Sequence, residues 1–350
     1  MTTKVLICDD SGFARKQMAR SIPEGWDVTI SFAEHGEQAL EQIKSGNGDV
    51  LFLDLNMPVL DGYQTMQVIR ELDLPTLVIV VSGDVQPEAR KRMMAMGALD
   101  FIRKPIDNSK LTTILRQYGV YSGAPDVSKS STEKNPLAQS QPSAADIVES
   151  RDHIDAYREL VNVAMGRAAE SLAKLFDEFI DLPIPNVNII ETNELHMAIA
   201  EVQRNAQLSA VSKGFVSAGI TGEALVLFND SNFTSLVELL KYDASEVTEQ
   251  LEIEALMDVS NIIIGACLNA LSEQLNVKFS HNHPKILGRH CDLDGLLKSN
   301  ISRWNKVMAI EIGYAIKRHD IQFDLLLLIP DSAMKQVYTR LVNTAEASFQ

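Results

Sequence analysis

Five residues spread over the first 104 positions carry groups that could act together on phosphate: Asp9, Asp10, Asp54, Ser82 and Lys104. Each closes or follows a short apolar run, namely VLIC, VLFL, LVIVV and FIR. If those runs are parallel strands of one sheet, all five side chains gather at one rim. Three clustered carboxylates repel one another unless a hard cation sits among them, so Asp9, Asp10 and Asp54 ask for Mg²⁺ on oxygen ligands. Metal, hydroxyl and ammonium around Asp54 could then neutralise the charge that arrives with a phosphoryl group on its carboxylate. The bland alternative is a set of solvated strand-end acids on an inert sheet. It requires Ser82 and the Lys104-Pro105 pair to coincide with three acids by chance.

A second constellation occurs twice. At an offset of 99 residues, Asp155, Glu159, Asn162, Gly166 and Pro185 line up with Glu254, Asp258, Asn261, Gly265 and Pro284. In each copy the inner acid and the Asn stand three positions apart, so on a helix both project from one face. A carboxylate can clamp a partner's ammonium group, and a carboxamide, with donor and acceptor, can orient a water. Neither is a good nucleophile, and no candidate catalytic Ser or Cys lies nearby. Acid plus amide on an exposed helix face suits the completion of another protein's active site. Alone, the pair would read as the solvated face of an amphipathic helix; the repeated spacing argues against that and for two copies of one supersecondary unit.

The elements that would position these residues are legible in the apolar periodicity. Over residues 1–120, β-branched runs at Lys4–Cys8, Val28–Ala33, Val50–Leu53, Leu77–Ser82 and Asp100–Arg103 alternate with helical patterns near 13–21, 36–46, 61–71, 86–96 and 107–118. Five βα units predict a flavodoxin-like, doubly wound, five-stranded parallel sheet. Residues 121–150 are rich in Ser, Pro and Ala and read as a flexible linker reaching roughly 30 Å. Residues 151–350 predict long helices near 152–177 and 248–274, with strands near 186–191, 207–218, 223–228, 306–317 and 321–329. Shorter helices are predicted near 231–241 and 331–345, and the non-alternating Leu325–Ile329 run reads as a buried central strand.

The first 120 residues closely resemble the CheY-like receiver family through VLICDD, LFLDLNMPVLDG, VIVVSGD and FIRKP. The resemblance implies a response regulator of a two-component system, with Asp54 phosphorylated by a sensor histidine kinase. It implies that Asp9 and Asp10 help hold Mg²⁺, that Ser82 is the switch hydroxyl, that Lys104 contacts the phosphate and that Phe101 fills the aromatic switch position. The last 200 residues resemble the CheC, CheX and FliY phosphatase family, whose motif is Asp or Ser, three residues, Glu, two residues, Asn, 22 residues, Pro. Asp155, Glu159, Asn162 and Pro185 match it in full; the second copy departs with Glu254 and Asp258, and a shorter acid predicts a weaker second site. That resemblance implies an internally duplicated α/β domain with protein aspartyl-phosphate phosphatase activity, of use in chemotaxis-type signalling. Glu159 and Asp258 would engage the receiver lysine, and Asn162 and Asn261 the attacking water. The substrate would be its own receiver or a separate CheY-like protein, and a CheD-like deamidase is a further implied partner. The rival expectation is a phosphorylation-switched adaptor that docks partners and catalyses nothing.

Composition bounds the rest. The chain of 350 residues carries a net charge of −15, divided as −3 over residues 1–120, −2 over 121–150 and −10 beyond, which disfavours nucleic acid and anionic lipid as partners. No apolar run approaches the roughly 20 residues needed to cross a bilayer, and Met1–Lys4 lead into a strand with no signal sequence, so a cytoplasmic chain without membrane contact is expected. Cys8, Cys267 and Cys291 are expected as buried thiols. The cluster His281, His283, His290 and Cys291 fits no usual zinc pattern and reads as a loop with solvated histidines. Met93, Met94 and Met96 serve either a partner surface or the core.

Overall fold

Strands covered on both faces are apolar without alternation, and the three central strands of the first of the two sheets are of this kind. In the computed structural model, which describes residues 2–121, 123, 151–195, 197, 208–242, 248–289 and 304–347, β1 (Thr3–Cys8), β2 (Val28–Ala33), β3 (Val50–Leu53), β4 (Leu77–Ser82) and β5 (Asp100–Arg103) pair in parallel in the order β2-β1-β3-β4-β5. Helices α1 (Gly12–Ser21), α2 (Gly36–Lys44), α3 (Gly62–Glu71), α4 (Pro87–Ala95) and α5 (Asn108–Gln117) cover the two faces. Odd and even strand residues divide between two cores. Val5, Ile7, Phe52 and Ile79 face α1 and α5, and Leu6, Leu51, Leu53 and Val80 face the opposite helices. This flavodoxin-like sheet brings the carboxyl ends of β1, β3, β4 and β5 to one rim. It reaches further along the chain than expected. Tyr121, the first residue of the expected linker, is buried against Trp26 and donates its hydroxyl hydrogen to Glu24 O at 2.9 Å. The rest of the linker expectation, apart from Gly123, lies outside the described residues.

The second sheet is antiparallel. Its elements are α6 (Arg151–Phe176), β6 (Asn186–Glu191), β7 (Leu208–Ser217), β8 (Ile220–Asn229), α7 (Phe233–Leu239), α8 (Glu249–Leu275), β9 (Ser280–His281), β10 (Lys285–Arg289), β11 (Lys306–Ile316), β12 (Ile321–Pro330) and α9 (Asp331–Ala347). The strand order is β10-β7-β8-β12-β11-β6, with β9 on β7. The repeat of 99 is a structural duplication: α6 falls on α8, β6 on β10 and β7 on β11 at that offset. The first strand of each copy pairs with the hairpin of the other, β6 with β11 and β10 with β7, about a dyad between β8 and β12. Over one face of this sheet α6 and α8 lie side by side, joined at their rims by Arg167–Glu273 at 3.0 Å and by Gln274 Nε2 donating to Leu160 O at 3.0 Å. Tyr157, Ile263, Phe228 and Phe323 lie in the core beneath them.

One expectation is corrected. The segment read as a loop with solvated histidines forms β9 and β10 along β7, leaving His281 and His283 exposed; His290 and Cys291 lie outside the described residues. The signal was weak because these edge strands are held by main-chain pairing and have little apolar alternation to read.

Candidate functional site

The rim of the parallel sheet gathers the acids as their spacing predicts. Asp9 and Asp54 are buried and Asp10 partly so, and each brings a carboxylate oxygen to within 4.8 Å of the others. Buried Lys104, which precedes a cis bond to Pro105, reaches across them: its Nζ donates to Asp9 Oδ2 at 2.7 Å and lies 3.4 Å from Asp54 Oδ1. Ser82 is fully buried, and its Oγ accepts the Asp84 N–H at 3.1 Å. Phe101 packs into the core on the Leu53 side. Met93 is buried in that core and Met94 is exposed, so the methionine row divides between packing and surface.

Helix α6 of the second unit lies over this rim. Glu159 Oε1 is 3.1 Å from Lys104 Nζ, making a third carboxylate contact for the same ammonium. One turn earlier, Asp155 Oδ2 accepts the Phe13 N–H at 2.7 Å. That donor belongs to the first turn of α1, where main-chain N–H groups have no partner within the helix. One turn beyond Asn162, Gly166 touches the loop after β4, and a Cβ there would stand 1.9 Å from Gly83 O. Glycine on both sides lets the two backbones meet. The expected exposed helix face is therefore covered: Glu159 and Asn162 are each 5% accessible, because the first unit of the same chain sits on them. The Asn162 Oδ1 acceptor is buried and has no hydrogen-bond partner among the described residues.

The electrostatics of the site follow from burial. Desolvation pushes the Asp54 carboxyl well above its ordinary range, with Lys104 opposing it, and raises Glu159 to about 7 and Asp10 to about 6 for the same first cause. Burial works to strip the Lys104 ammonium, but Asp54, Asp9 and Glu159 more than offset this and hold it above its ordinary value. Three acids thus contact one lysine while Asp10 lies beside them under the influence of Lys104 and Arg158, and protons or a divalent cation can supply further positive charge. The buried Asp10 Oδ1 has no hydrogen-bond partner and is a free oxygen ligand for such a cation.

The second copy stands apart from the rim. Asp258 and Asn261 are exposed on α8. Asp258 Oδ2 accepts the Tyr242 hydroxyl at 2.7 Å, and Asn261 Oδ1 lies 3.5 Å from Lys213 Nζ. Among the described residues a Cβ at Gly265 would meet nothing within 4 Å, so there the surface equivalent to the covered one is open.

Comparison with known proteins agrees with the first half of this description. Residues 5–116 match the family model described as Response regulator receiver domain. A protein-glutamate methylesterase/protein-glutamine glutaminase of Geobacillus kaustophilus is 40% identical over 107 residues, 30% of either chain. The protein of the same description from Bacillus subtilis is 36% identical over 104 residues. The chain spans about 30% of the length of the curated relatives it matches. Among solved structures, the response regulator domain of Thermotoga maritima CheB is 29% identical, covering 35% of this chain and 100% of that chain with a TM-score of 0.32. The structure of Thermotoga maritima FliY covers 56% of this chain and 98% of that one at 15% identity and a TM-score of 0.41. With its parallel sheet and its rim of acids and lysine, the N-terminal part of the chain is a response regulator receiver domain.

Proposed function

We propose that residues 151–350 form an aspartyl-phosphate phosphatase whose substrate is the phosphorylated receiver of the same chain, residues 1–120, with Asp54 as the phosphoacceptor. The observation that carries this reading is the Glu159–Lys104 contact, which sets α6 directly over Asp54. The receiver implies a kinase as phosphodonor. Asp9, Asp10 and Asp54 would hold Mg²⁺, which when bound supplies positive charge to the phosphoryl oxygens; the clustered oxygens and the unpartnered Asp10 Oδ1 fit it. Ser82 and Lys104 flank the phosphoryl group, and Phe101 fills the aromatic switch position.

Glu159 fixes the Lys104 ammonium from the far side. The unsatisfied Asn162 Oδ1 accepts an O–H of the incoming water and aims its lone pair at phosphorus. The P–O bond to water forms as the P–O bond to Asp54 breaks. The carboxylate is restored, and the water proton leaves on inorganic phosphate. Hydrolysis by a bare receiver lacks this orientation, so the contribution of α6 is positioning.

The second copy, Asp258 with Asn261, is assigned to a separate CheY-like receiver. It is the weaker of the two, because both polar groups already have partners inside the domain. The test is release of inorganic phosphate from the full chain loaded by a small-molecule phosphodonor. We expect Asn162→Ala to slow release by roughly tenfold or more, as loss of a positioning group does. Unchanged release in that variant, with α6 still docked, would make the second unit a binding module.

A further inference from the structure

The contact between the two units has a second anchor besides the Lys104–Glu159 pair. Gln86, at the start of α4, is 1% accessible, and its side chain clasps the main chain of Ile180, in the segment between α6 and β6. Gln86 Nε2 donates to Ile180 O at 2.8 Å, and Gln86 Oε1 accepts the Ile180 N–H at 2.9 Å. Ile180 is itself fully buried, and its neighbour Asp181 is held by a bridge to Ala315 on β11, with Asp181 N donating to Ala315 O at 2.8 Å. The clasp thus satisfies both main-chain groups of one buried residue in a segment fixed on its far side. The glutamine is fixed as well: its own N–H donates to Asp84 Oδ1 at 3.1 Å, and the Asp84 N–H donates to Ser82 Oγ.

We propose that Gln86 determines which receiver the phosphatase unit accepts. The inference rests on the proposed phosphatase reading and deepens it by naming how the substrate is recognised. A carboxamide offers a donor and an acceptor side by side at any pH, the complement of a main-chain N–H and C=O, whereas an ionised carboxylate only accepts. At this clasp the phosphatase side contributes only backbone, so the choice made here is written on the receiver. A receiver with Ala at this position leaves two buried main-chain groups unsatisfied. One with Glu sets a carboxylate oxygen against the Ile180 carbonyl. Asn keeps the chemistry but is one methylene short. In the undocked state water satisfies Ile180, so these costs fall on docking and not on the folding of either unit.

The test uses the full chain, phosphorylated on Asp54 by a small-molecule phosphodonor, and follows decay of the phosphoprotein together with amide exchange at Ile180. We expect Gln86→Ala and Gln86→Glu to lengthen the lifetime roughly ten- to a hundredfold, the loss that two unsatisfied buried groups bring. Gln86→Asn should fall between these and the wild type. In the same variants the Ile180 amide should exchange faster, while the Asp181 amide and the far-ultraviolet circular dichroism of the chain stay at wild-type values. A wild-type lifetime in Gln86→Ala, with Asn162→Ala lengthening it, would overturn the role of Gln86 and leave the phosphatase reading standing. A wild-type lifetime in Asn162→Ala would overturn both. A loss of circular dichroism matching the change in lifetime would reduce Gln86 to a structural residue and overturn the proposal.

Discussion

At the residue scale the site turns on how few positive charges serve many acids. Lys104 is shared by Asp9, Asp54 and Glu159, and removal of any one acid leaves it paired with the others. Glu159→Gln is therefore expected to leave the receiver folded and to slow loss of the Asp54 phosphoryl group by roughly tenfold, the scale of a charge-assisted contact reduced to a neutral one. Asp258→Asn should leave that same rate unchanged, since it lies on the open face. Asp84 makes a separate prediction. Burial raises its carboxyl to about 6, against backbone and side-chain hydrogen bonds from Gln86. Because the unfolded chain releases this proton near its ordinary value of 3.8 and the fold only near 6, ionisation costs folding energy above pH 6. The cost fades as pH falls and is absent below the unfolded value. Asp84→Asn, which keeps the acceptor, is expected to raise stability at pH 8 by on the order of 1–3 kcal/mol and to lose that advantage by pH 4, in denaturant titrations at the two pH values.

At the scale of elements, α6 and α8 are one sequence pattern put to two uses. Gly166 meets the backbone of Gly83, while its repeat Gly265 faces open space. Gly166→Ala is expected to separate α6 from the receiver, seen as faster exchange of the Phe13 amide that Asp155 now holds and as a longer phosphoryl lifetime. Gly265→Ala should do neither, and should stabilise α8 by about 0.5–1 kcal/mol as an alanine does in a helix interior. Most of the architecture was legible in the sequence at this scale. The three central strands of the receiver carry the unbroken apolar runs VLIC, VLFL and LVIVV, and the repeat of Asn162 and Asn261 located both long helices. What escaped was β9 and β10, whose pairing with β7 rests on main-chain bonds. The cover over Glu159 and Asn162 escaped as well, because the contacts that seat α6, Phe13 with Asp155, Gly83 with Asn162 and Gly166, and Gln86 with Ile180, use receiver backbone or one amide and carry no local pattern. The motif supplied the residues, and only the assembled chain could supply their orientation toward Lys104.

For the molecule as a whole, two units with separate cores meet at the acids of one and a helix of the other. Phosphorylation of Asp54 by a small-molecule donor is expected to stop on chelation of divalent cations and resume with Mg²⁺, because the acids at the rim lack enough positive charge of their own. Burial raises the thiols of both Cys8 and Cys267, the latter to about 12, so neither should react with a thiol reagent at pH 8 until the chain unfolds. If α6 acts on the receiver of its own chain, hydrolysis is intramolecular. The measurement that decides this is the rate constant for loss of the phosphoryl group from the purified full-length phosphoprotein over a wide range of protein concentration. Intramolecular action gives a rate constant that does not change on dilution and that drops sharply in Asn162→Ala; a rate that rises in proportion to concentration, or one indifferent to Asn162, would contradict it.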